Sequence, residues 1–459
     1  MPASPRFQGG FLSVLQNRNF LFLWIAQSTS QIAQNMLNFM VILLVEELTG
    51  SSIQTSIAIL SFLIPGVLFA SIAGVIVEHV NKRTVLIVTT LLRALVAGGY
   101  FVYLLWDKWP VGYLVLVIHT LTFTRNCVNQ FFWPAESAAI PLLVDRDDLF
   151  RVNALVSIGL NVYNFVGFIV LGPSLRKVMG TFAFLWLIIG MYLVAAIALW
   201  MVPRRACGVP ASNGLRMRWD RGLWDQAVDA WQAMLVELRE SWALIIQDRF
   251  ITVAIGYSSI VQALSLMVGN LAPGFITRVL HLTAEDTFIL IVPVGLGILV
   301  GFLLVTSVAK WFGLQRLVDS SMMAVGLALI GLSVAPLLQR LPAVTPLVEP
   351  NPTHPVLLAA GLCSFFLGLA NLFILVPTQT LLQDRTPEEA YGRVFANRLL
   401  IANIASVGPI LLTGALGDLV GISQVLGAVG VLTLLIAVGS VLYLRLPAHP
   451  PKDRQEIGR

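Results

Sequence analysis

Apolar stretches long enough to cross a bilayer recur about twelve times along the 459 residues, with little charge inside them and one long polar break near the middle. Each crossing needs roughly 20 mostly apolar residues. At 57% hydrophobic residues, 12% charged residues and a mean hydropathy of +0.84, the chain has too little polar surface to coat a soluble domain. Lipid leaves exposed peptide groups unpaired, so the crossings are helices or a closed barrel. Stretches such as 85–105 and 431–446 run apolar without the two-residue alternation of a barrel strand. An all-α membrane protein follows.

The hydropathy pattern predicts helices near 19–45, 53–77, 84–106, 111–133, 153–175 and 181–202. A second set is expected near 251–278, 286–309, 315–338, 355–382, 394–417 and 422–445. If both termini lie on one side, about 21 of the 29 basic residues share that side and about 5 face the other. The excess of Lys and Arg marks the cytoplasmic face, so cytoplasmic termini in a bacterial inner membrane are expected. Residues 1–18 are polar and show no cleavable leader pattern. The pI of about 9.3 therefore reports topology rather than nucleic-acid binding. Cys127, Cys207 and Cys363 are too scattered for a disulfide framework, and the five histidines form no ligand pair. No metal and no cofactor are expected.

The domain plan is an N-terminal segment (1–18), a six-helix bundle (19–202), a cytoplasmic linker (203–250), a second bundle (251–446) and a tail (447–459). In the linker, Trp224, Ala227, Val228, Trp231, Leu235, Leu238, Trp242 and Ile245 recur at helical steps between charged residues. An amphipathic helix on the membrane surface fits this spacing, as a tether or as a regulatory docking element. The halves also repeat. Pro134-Ala-Glu136 through Asp145 and Arg151 has a counterpart in Pro377-Thr-Gln379 through Asp384 and Arg393. Each is read as a short helix-ending segment followed by an Arg that opens the next helix. Duplicated halves are one common plan for secondary transporters.

Six-plus-six topology and a polar hairpin, Gly74-Val-Ile-Val-Glu78-His79-Val-Asn81-Lys82-Arg83, together resemble the major facilitator superfamily. Gly74, Glu78, Lys82 and Arg83 match that family's hairpin pattern. His79 and Asn81 replace its arginine and glycine. Phe132-Trp-Pro134-Ala135, Ile140-Pro141 and Asn153-Ala-Leu are similar to the drug and macrolide efflux branch, as is Gly392-Arg393-Val-Phe. The resemblance implies two pseudo-symmetric six-helix bundles and transport by alternating access. It also places Arg125 where the family has a fourth-span arginine associated with proton coupling.

Polar residues inside a membrane usually face the protein interior or a wet cavity. Gln27, Gln31, Gln34, Asn35 and Asn38 share one face of the first span. They read as a cavity lining, or as interhelical hydrogen bonds. Arg125, with Asn129 one turn on, needs acceptors or water and cannot shed its charge. It is a coupling or a structural residue. His119 is a further proton candidate, or simply a hydrogen-bond partner. In the second half Tyr257, Gln262, Asn371 and Asn403 are the corresponding cavity candidates. No acid falls in the middle third of any predicted span. Glu136 is the first choice for proton exchange, against a helix-end carboxylate paired with a basic residue. Gly74, Glu78, Lys82, Arg83, Asp145, Arg151, Asp384 and Arg393 would form a cytoplasmic gate, or mark only topology.

These features predict a secondary transporter that exports an amphipathic organic compound, driven by protons and working as a monomer in the lipid bilayer. Uptake or facilitated passage of a small metabolite is the alternative, and a non-transporting scaffold or sensor a more distant one. No phosphate loop, zinc motif or nucleophile elbow appears in the sequence, so no enzyme is expected.

Overall fold

The computed structural model describes residues 11–101, 109–145, 148–204, 232, 249–340, 354–385 and 391–445. The linker's amphipathic stretch lies outside them. The first six helices are α1 (Arg18–Thr49), α2 (Ser52–His79), α3 (Lys82–Gly99), α4 (Val111–Leu143), α5 (Leu149–Asn164) and α6 (Gly172–Met201). The second six are α7 (Arg249–Gly274), α8 (Phe288–Phe312), α9 (Leu314–Val334), α10 (His354–Arg385), α11 (Tyr391–Leu419) and α12 (Ile422–Arg445). The end of the molecule where α1 begins is called here the near face, and the opposite end the far face.

Local chemistry sets the helix ends. Asn17 caps α1 by accepting from the amides of Asn19 and Phe20, and Asn81 caps α3 through the amide of Thr84. A π segment, Phe165–Leu171, carries α5 into the first turns of α6. At Gly180 φ is 72° and ψ is 167°, a conformation that only glycine adopts without strain, and the chain reverses there. The apolar stretch Arg151–Met201 therefore holds two crossings. By length and hydropathy, ten stretches among the described residues can cross a membrane. Helix α3 stands apart because Lys82, Arg83 and Arg93 fall within its 18 residues, yet it packs against α4 and α6. A second π segment, Phe275–Val279, extends α7.

One sequence expectation is corrected. Pro134 does not end the fourth span: α4 continues through Pro134 and Pro141 to Leu143, and α10 likewise continues through Pro377 to Arg385. Packing against neighbouring helices and local adjustment re-satisfy the carbonyls that proline frees inside a membrane bundle. Glu136 consequently sits two turns inside α4 rather than at its end.

The two sets of six pack mainly within themselves. Helix α1 lies against α6, and α4 against α2 and α3; in the second set α8 pairs with α10, α9 with α12, and α7 with α11. Between the sets, α2 meets α11 and α7, and the Phe165–Leu171 segment meets α8.

Candidate functional site

The first half is built around a polar layer. Gln27, Gln31, Arg93, Thr122, Arg125, Asn126 and Asn129 are all buried at its centre. Above and below them lie separate apolar clusters: one around Phe20, Leu23, Phe132 and Leu199, the other around Met36, Met40, Tyr100 and Phe184. Arg125 donates to Asn38 Oδ1 and, at 3.5 Å, to the backbone carbonyl of Gln34. Arg93 reaches the side-chain oxygen of Gln34 at 3.5 Å, and its guanidinium lies 4.0 Å from the ring centre of Phe132. Stacking on an aromatic face suits a guanidinium that has few acceptors. Glu136, 2% exposed, feels the Arg93 charge, while its Oε1 has no hydrogen-bond partner. Two guanidiniums against one carboxylate leave this layer positively biased.

Between the halves lies a cavity of about 430 Å³. Asn35, Asn38, Phe62, Asn164 and Phe168 line it from the first half. Ser258, Gln262, Ser265, Gly269 and Asn371 line it from the second. Asn371 Nδ2 donates to Ser265 Oγ at 2.6 Å. The volume suits a drug-sized organic molecule. The walls are amide, hydroxyl and apolar, and among the described residues no charged side chain lines them. Arg125 enters indirectly, by holding Asn38.

The amide stripe of the first span therefore divides. Asn35 and Asn38 face the cavity; Gln27 and Gln31 are buried within the first half, and Gln34 ties Arg93 and Arg125 to α1. Asn129 is buried in the polar layer with its Oδ1 unpartnered. Tyr257 points away from the cavity and donates to Asp319 at 2.8 Å. Asn403 is half-buried on α11, outside the lining. His119 is bonded to Gln54 at 3.1 Å, toward the far face and away from the cavity. Asn164, Phe62, Ser258 and Ser265 join the lining without standing out in the sequence.

Of the proposed gate, Gly74 lies within α2, Lys82 is buried and Asp145 is exposed. Arg83 donates to the carbonyls of Leu199 at 3.2 Å and Trp200 at 2.6 Å, so it ties α3 to α6 inside the first half. Arg151 pairs with Asp148 at 2.8 Å. The side chains of Glu78, Asp384 and Arg393 fall outside the described ones.

A charged cluster joins the halves at the far face. Arg278 contacts Asp418 at 2.7 Å and Glu46 at 3.2 Å, and also donates to Ser52 Oγ. Asp418, at the end of α11, accepts from the backbone amides of Ser52 at 2.7 Å and Ile53 at 3.1 Å, and from Ser51 Oγ at 2.7 Å. One half thus caps a helix of the other. Thr277 donates to Glu46 at 3.2 Å, Asn270 to Ser56 at 2.8 Å, and Lys177 pairs with Asp286 at 2.6 Å.

The chain is similar to macrolide efflux protein A of Streptococcus pyogenes, with 28% identity over 130 residues, 28% of this chain and 31% of that protein. It is also similar to the uncharacterised MFS-type transporter YkuC of Bacillus subtilis, with 23% identity over 34% of this chain and 38% of that one. The chain thus spans about a third of the length of the curated relatives it matches. Among solved structures, the nucleoside transporter NupG aligns with a TM-score of 0.64 at 10% identity, covering 94% of this chain and 100% of that one. A bacterial homologue of the iron transporter ferroportin, in an inward-facing state, gives 0.64 at 14% identity over 93% and 98%. These two likenesses establish the fold. The family model of the Major Facilitator Superfamily follows the sequence from residue 23 to residue 348, well over half of the chain, and this membrane transporter belongs to that superfamily.

Proposed function

We propose that the protein exports amphipathic organic molecules by alternating access, with bundles 19–202 and 251–446 rocking about the cavity and protons driving the exchange. The observation that carries this reading is the cavity itself: amides from both halves, no fixed charge, and a volume fit for a drug-sized solute. Such a surface selects loosely, by shape and apolar area, with a few amides to orient the solute. The macrolide efflux relative supports the outward direction. The far-face cluster is, on this reading, the outer closure. The near face is cytoplasmic, by the excess of basic residues there.

Proton coupling is assigned to Glu136. It is a buried carboxyl that faces the Arg93 charge, with an oxygen that no donor satisfies among the described residues. Such a group exchanges a proton when the rocking halves bring water to it. Arg93 and Arg125 both hold Gln34, so a change of charge at Glu136 reaches the cavity wall through α1.

The test is flux of a macrolide in proteoliposomes under an imposed pH gradient, with Glu136→Gln alongside. Wild-type protein is expected to drive uphill movement that collapses with the gradient. Glu136→Gln is expected to keep solute exchange and lose the uphill component. Movement only down the solute's own gradient in the wild type would remove antiport and favour facilitated passage.

A further inference from the structure

Behind the cavity, toward the far face of the second half, lies an apolar pocket of about 140 Å³. Val268, Leu271, Phe275, Leu290, Leu332 and Leu426 are among its apolar walls, and Ser265 and Ser364 are its polar residues. It adjoins the cavity, and Phe168, Ser265 and Gly269 line both spaces. The two π segments flank it, one from each half: Phe168 belongs to Phe165–Leu171, and Phe275 opens Phe275–Val279. π turns are rare and concentrate at functional sites. Phe168 stands where the two spaces meet, edge-on to Phe39 at 5.7 Å. At Gly269 no atom lies within 4 Å of the place a Cβ would take, and no side chain stands between the two spaces there.

We propose that this pocket is a substrate subsite. It takes the apolar limb of an amphipathic solute whose polar part rests against Asn38, Gln262 and Asn371, and the assignment rests on the export reading. Close-packed interiors rarely keep voids of this size, because the lining forfeits its contacts. An apolar space that adjoins an amide-lined one across Gly269, where no side chain intervenes, is shaped for a molecule with two unlike ends. The pocket also lies beneath the far-face closure, so the limb leads toward the exit.

The test uses the full-length protein in lipid nanodiscs and a homologous series of dansyl amides with n-alkyl chains from ethyl to decyl. Binding to empty nanodiscs is subtracted. In the wild type, affinity is expected to rise roughly fourfold per methylene until the pocket is full, and then to level off. Gly269→Leu should bring the levelling to shorter chains, and Leu332→Ala should carry it to longer ones. If the chain-length profile is the same in both variants as in the wild type, the pocket is a packing void and the proposal falls. If instead no homologue of any length binds or crosses vesicles, the export reading fails and takes the subsite with it.

Discussion

The two halves share a plan and differ in what fills them. In the first, the apolar core is cut in two by Gln27, Gln31, Arg93, Arg125 and Asn129. In the second, one large apolar cluster runs from Tyr257 and Val261 through Met322 and Leu329 to Ala437, with a small separate one around Ile251, Ile255 and Leu382. A buried charge is expensive to desolvate and adds little net stability even when paired, whereas close apolar packing in a membrane bundle does stabilise. On the proposed reading the first half handles charge, and the second holds its shape around the apolar end of a solute.

That contrast breaks most visibly at Arg93. Arg93→Met leaves Glu136 without its opposing charge, and an unfolding free-energy loss of about 3–5 kcal/mol is expected in a denaturation series. The double variant Arg93→Met/Glu136→Leu should recover that loss, or exceed the wild type, while remaining dead in uphill transport. A double variant that pumps would show that the charges only brace the fold.

In the second half the order reverses. Leu329→Ala opens a void in the large apolar cluster and should lower stability by about 2–5 kcal/mol, with pH-gradient coupling retained in the molecules that remain folded. Loss of coupling at unchanged stability would erase the proposed division of labour.

At the seam the effects are smaller. Asp418→Ala removes a cap and a partly exposed ion pair, and a loss of about 1–2 kcal/mol in the same unfolding series is expected. It should also raise the labelling of a cysteine placed at Ser56 from the far side.

The smallest effect belongs to Lys177 and Asp286. Burial pushes the Asp286 carboxyl up, but hydrogen bonds from Lys177 and Thr283 outweigh it and hold the group below its ordinary value. A depressed carboxylate stabilises the folded state at neutral pH. The contribution fades as pH falls through the usual carboxylate range and below. Lys177→Met should therefore cost at most about 1 kcal/mol at pH 7 and nothing in strong acid, as read from melting temperatures at the two pH values.

Much of the fold was legible in hydropathy, because the solvent of a membrane protein demands long apolar helices and little else. The reversal at Gly180 fell where the gap between two apolar runs was expected. Proline misled in the fourth span: Pro134 reads as a stop, yet the helix passes through it to Leu143, since neighbours inside a bundle can absorb the freed carbonyls. At the site, periodicity identified the α1 amides as one face but not which of them meet the other half. That depends on how α1 is wedged between the polar layer and α7. Arg93 owes its central place to contacts with Phe132 and Gln34, which its position along α3 does not reveal. Ser258 and Ser265 carry no signal of their own, because serine is an ordinary small residue in membrane helices.

Asp418 supplies the first turn of α2 with acceptors from a point 366 residues further along the chain. A ribosome that has just delivered α2 to the membrane has not yet made that carboxylate. The amides of Ser52 and Ile53 must stay with water or lipid headgroups until nearly the whole polypeptide is finished. The opening helices thus settle last at the very end where the two halves eventually clasp, and a chain truncated before α11 would carry a frayed α2 however well its own bundle had packed.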